Sequence, residues 1–142
     1  MKQTKFFSLV ISLIICLQTT VSAKENFFTE GVKLFEQKKY LDSKFKFEQD
    51  IVFNPTSEES YLFLAKIFSN EQNDELEEQN LNTVILLNPR NEEAVYLLAL
   101  LKIKKSDYNE SEKLIKNFKK ICKTLCEKEP SLQTKLKSLQ PK

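Results

Sequence analysis

Cys122 and Cys126 are the residues best suited to chemistry in this chain, two thiols four positions apart near the end of an amphipathic stretch. Such a pair is open to three fates: a structural disulfide, a dithiol that exchanges with other disulfides, or two reduced thiols. In a regular helix this spacing lies near the upper Cα separation for a disulfide and aims the side chains poorly, so a bridge requires the helix to end or unwind locally. Pro130, close behind, is consistent with such an ending. Exchange-active dithiols usually sit two residues apart at a helix N-terminus, where the dipole lowers the thiol pKa, and a helix C-terminus does the opposite. The expectation is a structural disulfide fixing the junction to the final segment, with the reduced pair and the redox pair as alternatives.

A second constellation is acidic: Asp74, Glu75, Glu77 and Glu78. Calcium loops space their oxygen ligands around a central Gly, and the single Gly of this chain, Gly31, lies elsewhere. A solvated helix face is the expected reading. The chain contains no His, which removes the commonest general base and metal ligand and leaves the two thiols an incomplete metal site. It also lacks a phosphate-cradling Gly-rich loop and a nucleophile-base-orienter set. No catalytic residue, metal or cofactor is expected.

The elements that position these residues repeat. Asn54-Pro55 returns 34 positions later as Asn88-Pro89; Glu58-Glu59 matches Glu92-Glu93, Leu64-Ala65 matches Leu98-Ala99, and Tyr40 and Ser43 are answered two periods on by Tyr108 and Ser111. Apolar residues at helical spacing predict six helices near 25–37, 41–53, 57–70, 74–87, 91–104 and 107–124. Thr56 with Glu59, Asp74 with Glu77 and Asp107 with Glu110 have capping-box spacing, and Asn91 suits an N-cap. Turns fall at Lys38-Lys39, Gln72-Asn73 and Lys105-Ser106, and Pro55 and Pro89 bias the residue before them away from helix. A seventh helix follows, with Pro130 in its first turn and Leu132, Leu136 and Leu139 along one stripe. Its expected role is to cap the last exposed apolar face.

The first 23 residues read as a secretory signal peptide. Lys2 and Lys5 start it, 6–17 form the apolar h-region, and Val21-Ser22-Ala23 precedes a cut after Ala23. An uncleaved anchor is the alternative. Cys16 invites comparison with a lipid-modified cysteine, but Ile15 stands where a small residue is wanted, so Cys16 reads as h-region filler. The rest, 24–142, carries as many acids as bases, which argues against nucleic acid as a partner. Charge is nonetheless sorted: 58–93 holds nine acids against Lys66 and Arg90, and 102–142 holds twelve lysines against five acids. Two solvated outer faces, or head-to-tail self-association, would account for this.

On these residues the chain resembles three tetratricopeptide (TPR) repeats, 24–57, 58–91 and 92–125, followed by a C-terminal capping helix and tail, 129–142. Repeat one matches at Phe27, Gly31, Leu34, Tyr40, Ser43, Phe47 and Pro55; repeat two at Tyr61, Leu64, Ala65, Phe68, Leu81 and Pro89; repeat three at Val95, Leu98, Ala99, Tyr108, Ser111, Ile115 and Phe118. The implied fold is all-α, a short right-handed helical solenoid of three helix-turn-helix repeats. Three departures carry expectations. Glu77 replaces a small residue, so the second hairpin should pack less tightly. Lys102 stands where a large apolar residue is usual. Lys123 replaces the third proline, so the sixth helix should run past the usual end.

The resemblance implies a concave groove lined by the first helix of each repeat: Glu25, Phe28, Val32 and Phe35, then Leu62 and Lys66, then Tyr96, Leu100 and Ile103. Glu59, Ser69 and Glu93 complete those positions. A largely apolar groove suits a peptide or amphipathic helix of a protein partner. Only Lys66 is basic there, which disfavours the family mode that grips a C-terminal carboxylate. The expected function is an exported, periplasmic or secreted, non-enzymatic protein-binding module. The alternatives are a structural subunit or homo-oligomer whose groove is permanently filled and, behind it, a thiol–disulfide redox protein. Membrane contact is expected only through the signal segment or a lipid on Cys16.

Overall fold

A computed structural model describes residues 23–139, with side chains from Phe27 onward. The signal segment, Cys16 and the end of the tail lie outside the described residues, as does the side chain of Glu25. Described are seven α-helices, one 3-10 turn and no strand: α1 (Ala23–Glu36), α2 (Tyr40–Phe53), α3 (Glu58–Asn70), α4 (Asp74–Leu87), α5 (Glu92–Lys104), α6 (Tyr108–Ile121), the 3-10 turn Cys126–Lys128, and α7 (Glu129–Leu139). The chain divides into two compact units, up to Asn54 and from Pro55 on.

The repeat is written into the backbone as well as the side chains. Lys38, Gln72 and Ser106, each 34 residues after the last, hold positive φ of 60°, 57° and 60°. Each closes its hairpin in the same way: the next residue donates its N–H five positions back, Lys39 to Leu34, Asn73 to Phe68 and Asp107 to Lys102, all at 2.9 Å. This is the Schellman ending, here built on non-glycine residues in the left-handed region. α2, α4 and α6 also finish in register, at Phe53, Leu87 and Ile121. Local chemistry sets the starts of α5 and α6, where Asn91 accepts the N–H of Ala94 at 3.0 Å and Asp107 that of Glu110 at 3.2 Å. At α4 the cap is Asn73, which accepts from Leu76, and not Asp74; at α3 it is Ser57, and not Thr56. The boundary thus falls one residue earlier than expected at α4 and one residue later at α3, where Ser57 makes no side-chain cap bond.

In the first unit α1 and α2 cross where Gly31 leaves room. A Cβ there would stand 2.7 Å from Cε1 of Phe47, a fully buried ring. Ser43, buried at the same crossing, donates its hydroxyl to the Gly31 carbonyl at 2.8 Å. Phe27 stacks on Phe53 with centroids 5.6 Å apart, and Phe28 tilts against Phe47 at 5.9 Å. Burying a ring such as Phe47 contributes about 1.5–3 kcal/mol, so this small unit depends heavily on its aromatics.

The second unit holds α3 to α7 around one apolar cluster that includes Leu81, Val84, Val95, Leu98, Ile115 and Phe118. α7 packs on α5 and α6, and its Leu132 and Leu136 are buried in that cluster, as a cap requires. The second hairpin packs no more loosely than the others. Glu77 is buried at 6% exposure, and its carboxyl is accommodated by a hydrogen bond from Ser69 of α3.

Two expectations are corrected here. The acidic cluster is no solvated face: Asp74 pairs with Lys104 and Glu78 with Lys102, both at 2.6 Å, and Glu78 also takes Lys105. The cluster is an ionic seam between α4 and α5, and it gives Lys102 a place that an apolar residue would otherwise fill. Hydrogen bonds from Lys102 and then Lys105 hold the Glu78 carboxyl below its usual pKa. Nor does α6 run on. It stops at Ile121, and Cys122 turns extended, with φ −58° and ψ 143°.

Candidate partner-binding surface and its border

In the first unit, Phe28, Val32 and Phe35 are half-buried along α1. Phe28 rests on Phe47, and Phe35 meets Tyr40 edge-on with centroids 5.4 Å apart, so the hairpin itself fixes both rings. In the second unit, Lys66 of α3 reaches Glu93 of α5 at 2.8 Å and lies over the Phe63 ring, 5.0 Å from its centroid. The one cation among the groove positions is therefore already neutralised. Tyr96 and Leu100 are partly buried, whereas Leu62 is buried and Ile103, at 1% exposure, is packed into the cluster that includes Leu132 and Leu136. Ile103 thus offers almost no surface to a ligand.

Two clefts open on these residues. One, about 420 Å³, lies between Leu62, Glu93 and the segment after α6, where Thr124, Leu125 and Lys128 form the opposite wall. The other, about 370 Å³, runs between Ser69, Leu97, Leu100 and Leu139 of the cap. The wall formed by Thr124, Leu125 and Lys128 was not legible in the sequence. Lys128 lies over the Tyr96 ring at 4.9 Å, and Leu125 packs against the core. Only the distance in space between α5 and the segment after α6, unreadable from periodicity, brings them together.

That segment is held by Glu92, the first residue of α5. Its carboxylate accepts the N–H of Lys123 at 2.7 Å, the N–H groups of Thr124 and Leu125, and the Thr124 hydroxyl. The Thr124 hydroxyl first, then the Lys123 N–H, lower the Glu92 pKa to about 2. One repeat earlier, Glu58 occupies the same position and accepts from Asn88 Nδ2 at 3.0 Å. Beside the clamp, the Cys122 and Cys126 sulfurs lie at bonding distance, with Cα atoms 5.3 Å apart, inside the usual range for a disulfide. The early end of α6 supplies the local unwinding that a bridge needs.

One surface escaped the sequence reading. Leu41, Phe45 and Val52, at 73%, 58% and 74% exposure, form a row along one side of α2. Their spacing of four and seven was visible, but 3.6-residue periodicity says that a face is apolar, not what it faces. Among the described residues no helix is long and apolar enough to cross a membrane, and no group of three or more metal-binding side chains is present.

No family model and no curated protein sequence matches the chain. Solved structures do. The first TPR of Spaghetti (RPAP3), bound to the HSP90 peptide SRMEEVD, matches with TM-score 0.73 at 16% identity, covering 82% of this chain and 92% of that one. The TPR2B domain of yeast Sti1, in a complex with pHsp70, matches with TM-score 0.76 at 14% identity, over 82% and 98%. The Yersinia enterocolitica type III secretion chaperone SycD, with a peptide of the translocator YopD, matches with TM-score 0.75 at 12% identity, over 86% and 95%. At these identities the likeness is one of fold, and it agrees with the 34-residue register of turns, helix ends and crossings. The chain has the fold of tetratricopeptide-repeat domains.

Proposed function

We propose that this protein is an exported, non-enzymatic interaction module. In this reading a signal peptide over 1–23 directs it to the periplasm or out of the cell and is cut after Ala23. The first-helix surfaces bearing Phe28, Val32, Phe35, Lys66, Tyr96 and Leu100 then hold a peptide or amphipathic helix of an envelope or secreted protein. The observation that carries the reading is the character of those surfaces: half-buried Phe28, Val32 and Phe35 in the first unit and, in the second, partly buried Tyr96 and Leu100 with a lysine, Lys66, that Glu93 already pairs. Such a surface rewards apolar contact, and Lys66, the one cation at the groove positions, is already paired. Several neighbours in fold hold peptides, which supports the same class of work. A Cys122–Cys126 disulfide accords with an oxidising compartment.

Photo-crosslinking in cells, with the probe at Phe28 or Lys66, tests this. One defined adduct with another protein is expected; an absence of adducts, or adducts only with a second copy, counts against it. The second outcome would favour a structural subunit. The exposed row on α2 is the observation behind that alternative, since apolar rows of this kind are commonly covered. Sedimentation that stays monomeric at high concentration would remove it.

A further inference from the structure

α2 and α4 end against Asn54-Pro55 and Asn88-Pro89, where the proline makes the stop permanent. α6 ends in the same register with no proline. From Cys122 to Leu125 the chain reads Cys-Lys-Thr-Leu, without Gly or Pro and with Pro130 five residues beyond, so nothing local forbids helix over 122–125. Two tertiary restraints do the work instead. Glu92 takes the N–H groups of Lys123, Thr124 and Leu125, which would otherwise bond four residues back, and the Cys122 and Cys126 sulfurs meet across Cα atoms 5.3 Å apart, against about 6 Å in a regular helix.

We propose that the end of α6 is a redox-conditional stop. With the bridge formed, residues 123–128 fold against the start of α5 and wall the 420 Å³ cleft, with Lys128 over Tyr96. With it broken, α6 continues through 123–125, the Glu92 clamp is lost, and the wall leaves the cleft. The reductant is a dithiol. Its thiolate attacks the exposed Cys126 sulfur, the Cys122 sulfur departs and takes a proton, and the second thiol of the reductant then releases Cys126 as a thiol. Two electrons and two protons enter the chain, and the reductant becomes a disulfide. The cleft beside Tyr96 and Leu62 thereby takes two shapes, one for each state of the pair.

The test needs no partner, so its failure is separate from failure of the proposed function. Backbone chemical shifts of the full chain are compared oxidised and with excess dithiothreitol, after thiol titration of each sample. Two free thiols appearing only on reduction, a move of Lys123, Thr124 and Leu125 to helical Cα shifts, and loss of the Lys128–Tyr96 contact are expected, all reversing on reoxidation. Non-helical shifts at 123–125 in the reduced chain overturn the proposal, whether the segment stays clamped or becomes mobile. So do two free thiols in the oxidised sample. The Cys122→Ser/Cys126→Ser variant should match the reduced chain at 123–125 while α3 to α5 keep their shifts; a match to the oxidised chain also overturns it.

Discussion

The carboxylate of Glu92 accepts the N–H of Lys123 at 2.7 Å, so the first residue of the third repeat grips the place where that repeat's proline is missing. Glu58 grips Asn88 from the same register position, one period earlier. The repeat has kept the gripping residue and changed what it holds: a side-chain amide where proline stops the helix, and the bare backbone where nothing else does.

Glu92 should make stability depend on acid. Its pKa is lowered in the folded chain, to about 2 from an ordinary 4.5, so its contribution is complete above about 4.5 and is lost as pH falls through the folded value. Glu92→Gln should therefore melt earlier than the parent at neutral pH, and the gap should close between about pH 4.5 and 2. Thermal unfolding followed by circular dichroism across that range checks it; a gap that does not change with pH would contradict it.

Glu77 should show the opposite sign. Burial raises its pKa, only partly offset by the Ser69 hydrogen bond, so the ionised carboxylate is disfavoured in the folded chain. Its protonated form contributes most below the unfolded pKa, and that advantage is lost as pH rises through the folded one. Glu77→Gln, a neutral isostere, should stabilise the chain at pH 7 and lose that margin on acidification. Parallel melts of the two proteins at pH 4 and pH 7 decide it.

Gly31→Ala should destabilise in spite of its better helix propensity. The propensity gain is about 1 kcal/mol, while overpacking against a buried ring costs about 1–3 kcal/mol. A net loss of about 1 kcal/mol in urea unfolding is expected. Because the clash is with Phe47, adding Phe47→Leu should recover part of the loss, and a double-mutant cycle without coupling would show the clash to be absent.

Gln72→Gly should stabilise. A non-glycine residue held at φ 57° carries about 1–2 kcal/mol of steric cost, and glycine returns about 0.5–1 kcal/mol through the greater freedom of its unfolded chain. The expected gain is about 0.5–1 kcal/mol in urea unfolding. The same change at Glu71, the αR residue immediately before it, should destabilise.

Most of the secondary structure was legible because a helical hairpin is a local object. Its turn, its caps at Asn91 and Asp107 and its apolar stripe all lie within one 34-residue period, and a period seen twice predicts where the next helices begin. Gly31 and Ser43 could be read as a close crossing for the same reason, since they are twelve residues apart in one hairpin. The all-α repeat fold was thus determined by the sequence alone. What tertiary structure decided lies at longer range. Lys102 looked like a flaw in an apolar position until Glu78, 24 residues back, was beside it. Residues 122–125 have helical propensity and no breaker, and they leave the helix because a carboxylate about 31 residues away accepts their N–H groups and a second sulfur reaches Cys122. Propensity and periodicity report the bonds a segment can make with itself; the end of α6 is set by bonds it makes with α5, and no pattern within the segment encodes them.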